Sequence, residues 1–169
     1  EKYEKKLVDL GNAKLKEVDL ALSQLFSYFK NQSWYRDSHF ILTSDHGLPF
    51  KKEKMNLLDH ARVNIPLFVK GPKIPNQIES NIIEGSVDLL PSIMTLAGAN
   101  VPENIDGKVW PFIGGDKRSQ ILSESLYLNK YNIALRSEKF CYLYESSFDH
   151  IKKKVELYNS NGLSVLRRE

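Results

Sequence analysis

The sequence predicts an α/β fold, part of a mixed sheet sandwiched by helices, with a small antiparallel sheet at its end. Three observations predict it: a long opening stretch of helical periodicity, two short apolar runs bounded by turn residues, and a final third of alternating strand-like pieces. The 169 residues are 41% hydrophobic and 27% charged, the composition of a chain that buries a core.

From about Tyr3 to Lys30 the apolar residues recur at helical spacing, with Val18, Ala21, Leu22, Leu25 and Phe29 at i, i+3, i+4, i+7 and i+11. One long amphipathic helix is expected. Gly11-Asn12 marks a break in it or its true start, because glycine costs about 1 kcal/mol relative to alanine inside a helix. Asn31-Gln32-Ser33 ends the element, and Trp34 to Asp37 form a loop. His39-Phe40-Ile41-Leu42-Thr43-Ser44 and Ile65-Pro66-Leu67-Phe68-Val69 have the pattern of strands buried on both faces. The second run stops at Lys70-Gly71-Pro72. Between Ser86 and Gly98 a capped helix is expected over Leu89 to Ala97. Ser86 or Asp88 would cap it, Pro91 fits its first turn and Gly98 its exit. Pieces near Gln120–Glu124, Asn132–Arg136, Phe140–Glu145 and Val155–Tyr158 predict hairpins. The turn Gly114-Gly115-Asp116 is the candidate boundary, giving domains 1–114 and 115–169.

The formal net charge of +3 is mild, and lysines alternate with acidic residues, so no basic stripe suits nucleic acid. The one dense run, Lys51, Lys52 and Lys54 around Glu53, reads as a solvated loop or as a contact for an anionic substrate. The single cysteine, Cys141, excludes an intrachain disulfide, and its alternating, base-free surroundings suggest an inert buried thiol. No apolar stretch approaches the ~20 residues needed to cross a bilayer, and the first residues do not lead into a signal-peptide core.

Asp45-His46-Gly47 follows directly on the first apolar run, and ligands of open α/β sheets collect beyond the carboxyl ends of strands. An Asp oxygen and a His nitrogen side by side on a turn can both reach a divalent cation, with Gly47 letting the backbone bend away. Taken alone the triplet is also a common turn sequence, with Asp45 as a strand-end cap. His60 lies near the basic run and could protonate a leaving oxygen at neutral pH, or serve packing. His39 and His150 read as structural, and Asp88 as a helix cap.

An ordered series of segments runs through the chain: Ile41-Leu42-Thr43-Ser44-Asp45-His46-Gly47, Arg62 through Pro72, Ser86 through Gly98, and Ile105-Asp106-Gly107. With Val155-Glu156-Leu157-Tyr158-Asn159 at the end, this series resembles the sulfatase family of the alkaline phosphatase superfamily, over about residues 15 to 160. The resemblance implies an alkaline-phosphatase-like mixed sheet, and a C-terminal portion of a longer enzyme. It implies Asp45 and His46 as metal ligands, for Ca²⁺, Mn²⁺ or Mg²⁺, with the imidazole also admitting Zn²⁺. It implies a lysine at the transferring sulfate or phosphate group. Lys54 matches that position, but the spacing to Pro66 is one residue longer than the family pattern, which leaves Lys52 or Lys51 open.

The family nucleophile, a formylglycine made from Cys or a Ser or Thr in a setting such as Cys-x-Pro-x-Arg, has no counterpart here. The chain alone is therefore expected to be inactive and to pair with the missing N-terminal half of the same protein, or to self-associate through an exposed edge. The substrate implied is an anionic sulfate ester, in an extracytoplasmic setting: periplasmic, secreted or lysosomal. A phosphodiester or phosphonate hydrolase, or a phosphoglycerol- or phosphoethanolamine-type transferase, is the alternative enzyme. A noncatalytic α/β binding or scaffold domain is the alternative of another class.

Overall fold

The computed structural model describes residues 2–47, 58–76, 83–127, 129–147, 154–159 and 164–168, with side chains for those between 5 and 147. Chain contacts form two units, Glu1–Met55 with Ile65–Lys73 and Asn56–Asn64 with Ile74–Glu169. The chain thus lends a short segment to the second unit and returns to the first.

In the first unit, helix α1 (Lys2–Lys30) runs unbroken through Gly11, so the glycine is neither a break nor the start. A single glycine's cost is smaller than the cost of nucleating a second helix, and propagation through it wins. On the expected apolar stripe Leu22 and Phe29 are half-buried, whereas Val18 and Leu25 stay exposed. Phe26, between Leu22 and Phe29, is half-buried as well. The expected loop after it is a 3₁₀ turn, Ser33–Asp37. Strands β1 (Phe40–Thr43) and β2 (Leu67–Lys70) then pair antiparallel, Phe40 opposite Lys70 and Thr43 opposite Leu67. Two-sided burial is not met: the opposed Leu42 and Phe68 are 36% and 63% exposed. The strand run was apolar enough for cover on both faces, but among the described residues aromatic contacts to α1 and the 3₁₀ turn reach β1 only through Phe40.

The second unit contains the short helix α2 (His60–Val63), helix α3 (Leu89–Leu96) and a five-stranded meander. Its strands are β3 (Gln120–Tyr127), β4 (Lys130–Ser137), β5 (Phe140–Ser147), β6 (Lys154–Asn159) and β7 (Ser164–Arg168). Asn129 takes the left-handed conformation that closes the β3–β4 hairpin, a role its short polar side chain tolerates. Strand β7 was not legible in the sequence, because two apolar residues in Ser164-Val165-Leu166-Arg167-Arg168 give no alternation; pairing with β6 makes it a strand. On one sheet face Ala134 and Leu143 enclose Leu58, with Val63 and Cys141 packed around them.

Helix α3 begins where expected and closes at Gly98, whose φ of 71° supplies the left-handed exit. Before it, a 3₁₀ turn, Ser86–Asp88, presents Asp88 as more than a cap. Asp88 is 0% exposed and accepts from the Gly85 N–H at 2.8 Å, the Lys108 N–H at 2.7 Å and the Arg118 guanidinium. Its carboxyl is pushed up by burial, but the Lys108 N–H, Arg118 and the Gly85 N–H together hold it below the usual carboxylate range. The Ile105-Asp106-Gly107 segment docks against the same turn, since a Cβ at Gly107 would stand 2.0 Å from the Val87 carbonyl oxygen. Behind it the buried Trp110 donates its backbone N–H to Ser92 Oγ at 3.0 Å and stacks on Phe112.

Glu84 lies beside this network, and burial, followed by the Asp88 charge, pushes its carboxyl up to about 7. The folded chain therefore holds a proton there that the unfolded chain releases near 4.5, so stability falls as pH rises from about 4.5 to 7 and is flat above. Asp88 acts in the opposite direction, losing its contribution as pH falls below its ordinary value. A Glu84→Gln variant should flatten the pH dependence of the urea unfolding midpoint between pH 5 and 8; an unchanged slope would show that Glu84 is not its source.

Candidate functional site

The turn that follows β1 is placed by aromatic packing at the strand's first residue. Phe40 lies 5.5 and 5.4 Å, centroid to centroid, from Phe26 and Phe29 of α1, 6.4 Å from Trp34 and 5.3 Å from Tyr35. Such contacts join the helix end, the 3₁₀ turn and the strand in one cluster. His39, just before Phe40, sets its Nε2 3.1 Å from the Pro72 carbonyl oxygen and so ties the start of β1 to the segment after β2. Its expected structural role is the one observed.

At the other end of β1, Asp45 and His46 are brought together. Asp45 Oδ1 accepts the His46 backbone N–H at 2.9 Å, which fixes the carboxylate and leaves Oδ2 available. His46 Nδ1 stands 2.9 Å from the Gly47 carbonyl oxygen, a partner for the Nδ1–H tautomer of the neutral ring, in which Nε2 keeps its lone pair. Nε2 and Oδ2 are then 3.7 Å apart, with the side chains 48% and 88% exposed. Two ligands of one cation at about 2.1 Å each stand at most about 4.2 Å apart, so this pair fits as a partial donor set. A backbone carbonyl orienting the far nitrogen is also what metal-bound histidines characteristically have. Among the described residues no group of three or more His, Cys, Asp or Glu could hold a metal ion.

Lys51, Lys52 and Lys54, like His150, lie outside the described residues. His60 opens α2 in the second unit, where Asp59 Oδ1 caps its backbone N–H at 2.9 Å and Asn64 Nδ2 lies 3.4 Å from its Nε2. Cys141 is a free, half-buried thiol that burial pushes up, as suits an inert residue. Sequence reasoning missed the Gly47 carbonyl, whose role is geometric.

The family model described as Sulfatase matches residues 4–99, which include β1, the Asp45-His46 turn, β2 and α3. The chain belongs to the sulfatase family. A Caenorhabditis elegans protein named as a homologue of the extracellular sulfatase Sulf-1 is 26% identical over 157 residues, covering 89% of this chain and 22% of its own length. The multifunctional alkaline phosphatase superfamily protein PehA of Trinickia caryophylli is 31% identical over 120 residues, covering 66% of this chain and 23% of its own. The solved structure of a 2-O GAG sulfatase superposes with a TM-score of 0.67 at 22% identity, over 86% of this chain and 33% of that one. That likeness gives this sulfatase chain the alkaline-phosphatase-like fold expected of it. The chain spans about a fifth of the length of the curated relatives it matches.

If the Phe40 cluster places the site, a Phe40→Ala variant should lose about 2–3 kcal/mol of stability in equilibrium unfolding and accelerate hydrogen exchange in β1. Unchanged exchange would assign the placement of the turn to other contacts.

Proposed function

We propose that this chain is part of a metal-dependent hydrolase of sulfate esters, carrying two metal ligands, Asp45 and His46, and lacking the nucleophile. The supporting observation is the turn after β1, where Asp45 Oδ2 and His46 Nε2 are each freed by a backbone bond to the partner atom. It occurs on a chain of the sulfatase family, within the residues 4–99 that the family model matches. A divalent cation, Ca²⁺, Mn²⁺, Mg²⁺ or Zn²⁺, would polarise the ester and activate the nucleophile when bound. Asp45 and His46 would hold it, the carboxylate contributing charge and the imidazole a fixed neutral nitrogen. Lys54, with Lys52 or Lys51 as the alternative, would neutralise charge on the equatorial oxygens of the transferring group. His60 is the candidate proton donor to the leaving oxygen.

No Cys-x-Pro-x-Arg occurs in the sequence, so the nucleophile and the other ligands belong to the N-terminal half of the same protein. That half is also the proposed cover for the exposed Val8, Leu15, Val18 and Leu25 of α1 and for Leu42 and Phe68. Without it the chain should be inactive and self-associate. We assign 1–114 to the sulfatase-like α/β domain and 115–169 to a C-terminal subdomain. An extracytoplasmic location accords with the name of the Caenorhabditis elegans relative, and no described helix is long and apolar enough to cross a membrane. A second reading, phosphodiester or phosphonate hydrolysis or phosphoglycerol-type transfer by the same scaffold, draws support from the likeness to PehA.

The test uses the intact enzyme with p-nitrophenyl sulfate and bis-p-nitrophenyl phosphate, before and after chelation and metal restoration. Sulfate-ester hydrolysis that chelation removes is expected, with an Asp45→Ala, His46→Ala double variant at least about a hundredfold lower in kcat/KM. Faster phosphodiester cleavage would favour the second reading, and no hydrolysis of either ester by metal-loaded enzyme would sink both.

A further inference from the structure

The sequence contains a single Asn-x-Ser/Thr triplet, Asn31-Gln32-Ser33, and its middle residue is not proline. A triplet of this form is the acceptor pattern for N-linked sugar, which a folded protein accommodates where the asparagine stands on the surface. It falls where α1 gives way to the 3₁₀ turn Ser33–Asp37, and Asn31 and Ser33 are both exposed. Gln32 between them is extended, with φ of −90° and ψ of 143°, so the triplet has left the helix. Asn31 Nδ2 donates to the Ser27 carbonyl oxygen at 3.2 Å, an exposed bond at a helix end that water can replace.

The inner side of this corner is held by other groups. Phe29 and Trp34, on either side of the triplet, meet at 5.4 Å between ring centroids, and both rings reach Phe40. The backbone is closed by the Asn31 and Gln32 N–H groups, which donate to the Tyr28 and Phe29 carbonyls at 3.2 and 2.9 Å, and by the Tyr35 N–H, which donates to Gln32 at 3.2 Å. None of these contacts uses the Asn31 or Ser33 side chain, so the corner keeps its shape whatever those side chains carry. At about 100° per residue, Val8, Leu15, Val18 and Leu25 lie within about 100° of one another around α1, and position 31 projects at least about 120° from any of them. The face proposed to receive the N-terminal half thus leaves the corner open. Asp45 follows the far end of β1, which by Thr43 has carried the chain about 10 Å from Phe40.

We propose that Asn31 carries an N-linked glycan, transferred from a lipid-linked oligosaccharide diphosphate in the secretory lumen. Asn31 Nδ2 bonds to C1 of the first sugar, the C1–O bond to the diphosphate breaks, the lipid diphosphate leaves, and the amide nitrogen gives up one proton. The Ser33 hydroxyl is the other half of the acceptor pattern. This modification goes beyond the hydrolase reading and rests only on the extracytoplasmic location proposed above. A solubilising glycan here would also stand beside the exposed rings of Tyr28 and Trp34, surface that otherwise invites association.

The test expresses the intact protein in cultured animal cells and compares the wild type with Asn31→Gln, Ser33→Ala and Ser33→Thr, each recovered from the medium and from the cell fractions. Peptide mass spectrometry after enzymatic deglycosylation, which turns a modified asparagine into a carboxylic acid, reads position 31 directly. Expected are conversion at Asn31 in the wild type and in Ser33→Thr, its loss in Ser33→Ala, and a smaller mass for intact Asn31→Gln. Secreted protein with Asn31 unmodified overturns the proposal and leaves the location standing, whereas protein confined to the cytosol overturns both. Modification that survives in Ser33→Ala also overturns it, because transfer would then not depend on the triplet. Ser33→Ala and Ser33→Thr differ in one hydroxyl, so that pair decides the matter even if Asn31→Gln fails to fold.

Discussion

Burial of Leu58 between Ala134 and Leu143 is the constraint around which the second unit is organised. A five-stranded meander has two faces, and an antiparallel sheet of that size needs one of them covered to be stable. Here the cover includes a segment borrowed from much earlier in the chain. Once Leu58 is seated, Asp59 caps α2, Arg136 reaches the Leu58 carbonyl, and Val63 and Cys141 fill in beside them.

The Asp88 network plays the corresponding part where α3 meets the chain before β3. An isolated carboxylate removed from water is costly, and only a full set of donors makes the ionised form acceptable. Two backbone N–H groups and Arg118 supply that set, while the neighbouring Glu84, pushed up by its burial and then by the Asp88 charge, keeps its proton to about pH 7. The Ile105-Asp106-Gly107 motif is thereby explained in structural terms: glycine lets that chain close on the Val87 carbonyl, which brings the Lys108 N–H to Asp88.

Periodicity made α1, β1, β2, α3 and four strands of the meander legible, and the position of Asp45-His46 after an apolar run was legible for the same reason. What escaped were features created by tertiary contact. Gly11 looked like an interruption because local propensity was weighed without the length of helix on either side. β1 and β2 looked doubly buried because hydrophobicity reports what a strand requires, not which part of the protein provides it. Arg136 looked like one polar residue of a strand, and nothing local shows that its guanidinium is buried against a carbonyl 78 residues earlier. In the candidate site, the sequence named Asp45 and His46 as candidates; the Gly47 carbonyl beside the His46 ring came only with the structure.

The seating of Leu58 also sets an order in time. Leu143 is made 85 residues after Leu58, so at synthesis rates of about 5–20 residues per second the segment waits roughly 4–17 s for the strand that will enclose it. The hairpins of the meander need only their own neighbours and close in microseconds once exposed. The strands that enclose Leu58 are thus made after it, and the earlier segment is the last to settle. Until then the ribosome-bound chain carries Leu58 without the side chains that will bury it.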